Sequence, residues 1–169
     1  MKEAYFAGGC FWCITPVFRE KAGVVSVTSG YSGGSEPNPT YEDVKHGKTH
    51  HRETICVRFD PDRTDFASLL QTFLWNVDPF DGGGQFIDRG ASYTLAVYYT
   101  DDEQRALTER ALRSLEAETQ RQPQIAVEPF RSFYPAEEYH QDYDLKNPSA
   151  FLRELILSGR KQADGIKTE

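Results

Sequence analysis

Hydrophobic positions along the chain fall in short runs, separated by stretches rich in glycine and proline. Ala4–Ala7 is an apolar run that stops at Gly8-Gly9 and reads as a short strand. From Cys10 to about Lys21 the pattern is helical. Pro16 is best tolerated in a first turn, so regular helix should begin near Phe11–Cys13. Val24–Thr28 reads as a strand, and Arg52–Phe59 alternates as one. Thr64–Trp75 carries Phe66, Leu69, Leu70, Phe73 and Leu74 at i, i+3, i+4, i+7 and i+8, the apolar stripe of a helix. Ser92–Tyr99 is a further strand. Thr100-Asp101-Asp102-Glu103 has the form of a capping box opening a helix to about Thr119. Ile125–Val127 is a short edge strand. Asn147-Pro148 opens a last helix, with Phe151, Leu152, Leu155 and Ile156 facing inward and Gly159 ending it. Gln162 to Glu169 reads as a frayed polar tail.

Between these elements lie long loops, above all Gly30–Tyr41 and Asp78–Ala91. Loops beyond about 12 residues are usually functional or disordered. Strands alternate with helices, but these connections are unlike tidy βαβ turns. The expected fold is α+β, a two-layer sandwich with its loops clustered around a site. At 169 residues and 38% hydrophobic the chain has the material for one core. A single domain over 1–160 and a polar tail over 161–169 are expected. The net charge of −7 argues against nucleic acid held through a basic patch. A run of 18 apolar residues, as a membrane span needs, is missing. The apolar stretch before Gly8-Gly9 is only Ala4 to Ala7, whereas a secretory segment needs roughly 7–15 residues, so a cytoplasmic protein is expected. Three cysteines do not make a disulfide scaffold.

The densest chemistry sits at Gly8-Gly9-Cys10-Phe11-Trp12-Cys13. Strand, tight turn and helix start follow one another there, with a thiol at the turn. Unpaired N–H groups and the positive end of the helix dipole favour the thiolate, which is the reactive form, so Cys10 is a candidate nucleophile. Cys10 and Cys13 are one helical turn apart, a spacing compatible with a disulfide. The same C-x-x-C also fits half a zinc site or a general thiol–disulfide oxidoreductase. No second cysteine pair completes the first, and only nine residues precede Cys10, a short lead-in for a thioredoxin-like fold.

Side-chain alternation in Arg52–Phe59 supplies the second clue. Glu53 shares a face with Ile55, Val57 and Phe59, while Arg52, Thr54, Cys56 and Arg58 point the other way. A carboxyl at the end of an apolar face should be neutral near pH 7 and able to donate a proton, unless it lies in water or beside a cation. Cys56 is separated from it and reads as a structural thiol. Tyr93 shares a face with Leu95, Val97 and Tyr99 and reads as core with a satisfied hydroxyl. Tyr41 ends a loop rich in glycine and proline and reads as pocket-lining. Nothing in their spacing gives His46, His50, His51 or His140 a catalytic role.

Several stretches taken together resemble the peptide methionine sulfoxide reductase A family. They are Gly8-Gly9-Cys10-Phe11-Trp12, Gly30-Tyr31-Ser32-Gly33-Gly34, Pro37-Asn38-Pro39-Thr40-Tyr41, Glu53, Asp88-Arg89-Gly90, Tyr93, and the run from Tyr134 to Tyr143. The resemblance implies a ferredoxin-like two-layer core and reduction of methionine-S-sulfoxide, free or in proteins. It implies Cys10 as nucleophile and Glu53 as acid. Tyr41, Tyr93 and Asp88 would hold the sulfoxide oxygen and the groups around it, and Phe11 and Trp12 would receive the substrate methyl. The Cys10 sulfenic acid would condense with Cys13, because the C-terminal region has no cysteine. The expected reductant is an external dithiol such as thioredoxin. No bound cofactor or metal is expected, and the expected state is a monomer.

Overall fold

The computed structural model describes residues 1–160, so the expected tail at 161–169 lies outside the described residues. Its elements are β1 (Lys2–Gly8), α1 (Phe11–Arg19), β2 (Val24–Ser32), α2 (Tyr41–Lys45), β3 (Arg52–Phe59), α3 (Phe66–Trp75), β4 (Gly84–Gln85), β5 (Asp88–Arg89), β6 (Leu95–Tyr99), α4 (Asp102–Thr119), β7 (Ile125–Pro129), β8 (Phe133–Pro135), α5 (Tyr143–Lys146) and α6 (Pro148–Ser158). Six strands form one mixed sheet in the order β7-β6-β1-β3-β2-β8, and β4 and β5 form a separate two-stranded ribbon. All pairs in the large sheet are antiparallel except β6–β7. The fold is a mixed α/β one.

Strand alternation gives the sheet two apolar faces. Ala4, Phe6, Ile55, Val57, Leu95 and Val97 meet the inner sides of α1 and α3 in the main core. Tyr5, Ala7, Cys56, Ala96 and Tyr98 line the other face beneath Phe130 and Phe133. Phe6 is fully buried and stacks on Phe18, Phe66 and Phe73 at 5.4, 5.9 and 5.0 Å. Phe6→Ala should therefore cost roughly 3–5 kcal/mol, read as a lower midpoint in urea unfolding with little change in slope.

Several expectations are met and others are shifted. The strand Arg52–Phe59 forms over the residues expected, and Ile125 opens an edge strand. Pro16 is the sixth residue of α1, so it leaves the Trp12 carbonyl without a helical donor rather than sitting in the first turn. The cap of α4 falls one residue later than read: Asp101 Oδ1 accepts from the Gln104 N–H at 2.8 Å, and Gln104 Oε1 accepts from the Thr100 N–H at 2.9 Å. Ser92–Tyr99 is not one strand. Ala91–Tyr93 is a 3₁₀ turn and the strand begins at Leu95. In α6 the inward stripe is Phe151, Leu155 and Ser158, spaced i, i+4 and i+7, while Leu152 and Ile156 are 42% and 37% exposed. Among the described residues, α1 and α5 cover one side of that helix, so its apolar arc is wider than its contact there.

Candidate active site

β1 delivers the chain to the site and Gly9 turns it. Gly9 has φ +85°, and a Cβ there would lie 2.8 Å from Gln85 Cβ. Both facts require glycine, and together they bring β4 against the start of α1. Cys10 is the N-cap of α1, with extended backbone, and is buried. Cys13 lies one turn on, its N–H donating to the Cys10 carbonyl at 3.1 Å, and is also a free, buried thiol.

Glu53 meets this turn from β3. It is 2% exposed, on the face it shares with Ile55, Val57 and Phe59, as alternation requires. Its Oε1 accepts from the Phe11 N–H at 3.1 Å. Burial pushes its pKa up to about 8, with the charges of Asp88 and Cys13 adding to the rise; the bonds from Phe11 and the Tyr93 hydroxyl only partly oppose it. Glu53 is therefore mostly neutral at pH 7 and can donate a proton.

Cys10 corrects one expectation. Its pKa is raised well above the ordinary thiol value, through its hydrogen bond to Cys13, then burial, then the negative charges of Cys13, Glu53 and Asp88. Cys13 moves the opposite way, through the hydrogen bond from Cys10 against burial, with Arg160 helping. The helix start does not offset this, because two of the N–H groups there have other acceptors, Phe11's in Glu53 and Cys13's in the Cys10 carbonyl. In the resting pair the proton stays on Cys10.

Two tyrosines approach from elements the sequence pattern misplaced. Tyr93 reaches Glu53 from the end of the 3₁₀ turn, where strand parity has no hold on it. Tyr41 opens α2 behind an N-cap, Thr40, whose Oγ1 accepts from the Asp43 N–H at 3.1 Å. The Thr40-x-x-Asp43 spacing was a signal for that helix start. Burial, then the charge of Glu53, raises both phenols above their ordinary range, so they remain donors. Asp88 sits half-buried on β5, its pKa raised by burial and lowered by Arg160.

Phe11 and Trp12 separate. Phe11 is buried in the core, 5.9 Å from Tyr31 and 5.4 Å from the His140 ring. Trp12 is half-buried and stacks on Tyr143 at 3.9 Å. Its Nε1–H donates to His140 Nδ1 at 3.0 Å.

Spacing assigns His140 no role, yet it is 1% exposed and 4.2 Å from the Tyr41 ring. Burial holds its imidazole below the usual range, against the pull of Glu137. Because Nδ1 accepts from Trp12, the neutral ring carries its proton on Nε2, which has no hydrogen-bond partner among the described residues. Glu137 was missed as well. Its two oxygens accept from the Tyr31 hydroxyl at 2.9 Å and the Tyr41 N–H at 3.0 Å, fixing the aromatic wall. Cys56 is where alternation put it, on the opposite face, donating to Glu3 at 3.1 Å, with burial pushing its thiol up to about 12. His46 pairs with Glu42, His50 with Glu36, and buried His51 binds the Gly34 N–H and the Glu36 carbonyl.

A buried thiol pair beside a neutral carboxylic acid, two phenols and an aromatic wall can reduce a polar S–O group. The family model described as peptide methionine sulfoxide reductase matches residues 2–168. The chain belongs to this family. It is 46% identical over 160 residues to the peptide methionine sulfoxide reductase MsrA of Bacillus licheniformis, covering 94% of this chain and 88% of that one. Methionine sulfoxide reductase A of Corynebacterium diphtheriae superposes with a TM-score of 0.79 at 31% identity, over 87% of this chain and 75% of that one. Mxr1 from Saccharomyces cerevisiae in reduced form superposes with a TM-score of 0.81 at 27% identity, over 87% and 86%. The reductase converts methionine sulfoxide to methionine, which decides between the readings left open by its C-x-x-C. No helix among the described residues is long and apolar enough to cross a membrane.

Proposed function

We propose that the reductase acts on the S epimer of methionine sulfoxide, free or in proteins, with Cys10 as nucleophile and Glu53 as general acid. The observation that carries this is the carboxyl of Glu53, buried and neutral at the turn that bears Cys10. Sulfoxide sulfur is electrophilic only when its oxygen is hydrogen-bonded or protonated. Glu53 supplies the proton, and the Tyr41 and Tyr93 hydroxyls hold the oxygen as charge develops. Asp88, made more acidic by Arg160 and less so by burial, helps order these groups. Trp12, seated by Tyr143 and His140, receives the substrate methyl, and the His140 Nε2–H, unpartnered among the described residues, is a donor for the polar remainder of the substrate.

An S–O bond forms at the Cys10 sulfur as the substrate's S–O bond breaks; the Cys10 thiol proton passes to Glu53 in place of the one it gave, methionine leaves, and Cys10 is left as a sulfenic acid. Cys13 then attacks that sulfur. An S–S bond forms, and the oxygen departs as water once protonated. Thioredoxin or a similar dithiol restores both thiols by exchange. The central strand order β6-β1-β3-β2, antiparallel throughout, supports the ferredoxin-like description of the core. A cytoplasmic monomer, with one domain over 1–160, completes the reading.

The test is a reaction with excess methionine-S-sulfoxide in the absence of reductant, followed by mass mapping. One methionine per chain and a Cys10–Cys13 bridge are expected, and the R epimer should give neither. Cys13→Ser should still release one methionine, then stop with Cys10 oxidised and its turnover on thioredoxin reduced at least about 100-fold. Full turnover by that variant with thioredoxin would remove Cys13 from the cycle.

A further inference from the structure

Arg160 is the last described residue, immediately after Gly159, the left-handed C-cap of α6. It is far from the site in sequence but not in space. Its Nη2–H donates to the Gly8 carbonyl at 3.0 Å, and its Nη1–H to the Asn76 carbonyl at 3.1 Å. The guanidinium carbon lies 4.6 Å from the centre of the Phe86 ring. A Cβ on Gly9 would come within 3.0 Å of Nη2, so the cation rests on the turn that leads into Cys10. Its Nε is buried and has no acceptor among the described residues.

Two carbonyls and a ring hold the group but leave its charge unneutralised. Among the described residues it has no carboxylate partner within ion-pair distance, although the arginines at 19, 52, 89 and 105 all do. The anionic groups that feel it are Cys13 and Asp88.

We propose that Arg160 is a positioning residue of the recycling half-reaction, holding a fixed positive charge against the C-x-x-C turn so that Cys13 attacks oxidised Cys10 as an anion. This rests on Cys13 being the resolving thiol. The need is physical. Cys13 is buried, Asp88 from β5 and Glu154 from α6 bring negative charge toward it, and Glu53 from β3 adds its own to the sulfur pair only where it ionises, near pH 8 and above. Once Cys10 is a sulfenic acid, the partner thiol that had donated its hydrogen bond to Cys13 is gone. Among the described residues Arg160 is then the cation left to stabilise the Cys13 thiolate. In the step itself the Cys13 thiolate donates its electron pair to the Cys10 sulfur. The S–O bond breaks, and the hydroxide takes a proton from Glu53 and leaves as water. Cys13 is oxidised, Cys10 is reduced from sulfenic acid to disulfide, and no outside oxidant is needed.

The experiment is a rapid-quench single turnover of the full chain with methionine-S-sulfoxide and no reductant. It follows methionine release and Cys10–Cys13 closure separately, the latter by trapping the sulfenic acid, across about pH 6 to 7.5, below the titration of Glu53. In Arg160→Met, which keeps an apolar stem against Phe86 and removes the charge, methionine release should change less than about threefold. Closure should slow at least tenfold near pH 7, the sulfenic acid should accumulate, and the closure rate should climb with pH where the parent's is nearly flat. Arg160→Lys should recover most of the rate and the flat profile. Equal slowing of both steps would reduce Arg160 to a structural latch and overturn the proposal, as would closure in Arg160→Met at the parent's rate and pH profile. If the unsubstituted chain forms no Cys10–Cys13 bridge, it is the resolving role of Cys13 that fails, and that result is read before any Arg160 variant is made.

Discussion

Cys10→Ser should abolish methionine sulfoxide reduction, lowering kcat/KM by roughly 10⁴-fold or more, while leaving the protein as stable as before. The two halves of this expectation come from the same position. Cys10 is the N-cap of α1, and its side chain makes no capping hydrogen bond. Serine is among the best N-cap residues, and such a cap is worth roughly 0.5–2 kcal/mol over alanine. The substitution is close in size and keeps the turn, so the unfolding midpoint should hold or rise slightly. The chemistry cannot survive it. An alcohol is far less acidic than a thiol and far less nucleophilic, and a serine oxygen cannot accept the sulfoxide oxygen as cysteine does in becoming a sulfenic acid. The measurement is a pair: methionine release in one turnover, and a urea unfolding curve. Multiple turnover by Cys10→Ser would remove it as nucleophile, and loss of activity together with a collapsed midpoint would not count in its favour.

What the sequence made legible follows the range of the interactions involved. Strand alternation is local, so Arg52–Phe59 and the inward side of Glu53 were readable residue by residue. The Gly8-Gly9-Cys10 turn was readable because a strand end, two glycines and a helix start lie within a few positions. Tyr93 was misread for the converse reason. Its neighbours alternate like a strand, but hydrogen bonds from Tyr93 N–H to the Gly90 carbonyl and from Thr94 N–H to the Ala91 carbonyl close a tight turn in front of β6. It still arrives at Glu53, by a route the alternation did not describe.

The residues missed altogether act across the chain. His140 earns its place through Trp12, 128 positions away, and Arg160 through Gly8, 152 positions away. No periodicity encodes such contacts. The ionisation of Cys10 shows the same limit in electrostatics. A helix start argues for a thiolate, but burial, the Cys13 sulfur and two carboxyl groups from other strands argue more strongly for a thiol. The ionisation of the sulfur pair and that of Glu53 are therefore coupled, the Glu53 charge raising the pKa of Cys10 and the Cys13 charge raising that of Glu53.

That coupling gives Glu53→Gln opposite effects on activity and stability. Glutamine keeps the size of the side chain, and its carbonyl oxygen can still accept from the Phe11 N–H, so the turn should hold. The proton donor is lost, and kcat should fall by roughly 10²–10⁴-fold, with KM changed much less. In the parent enzyme, kcat/KM should decline as pH rises through about 8, because the neutral acid is consumed there. That alkaline limb should vanish from the residual activity of the variant.

Stability runs the other way. The folded pKa of Glu53 is raised, so between about 4.5 and 8 the native chain holds a proton that the unfolded chain has released. The stabilising contribution is complete below that window and is lost as pH climbs through it, until at pH 8.5 the native state must carry a buried anion. Glutamine has no such charge to bury. The variant should match the parent near pH 4.5 and exceed it by roughly 2–4 kcal/mol at pH 8.5, measured by urea unfolding at both values. A variant less stable than the parent at pH 8.5 would mean that the Glu53 carboxylate is well solvated in the folded chain, and the acid assigned to the reaction would have to be sought elsewhere in the site.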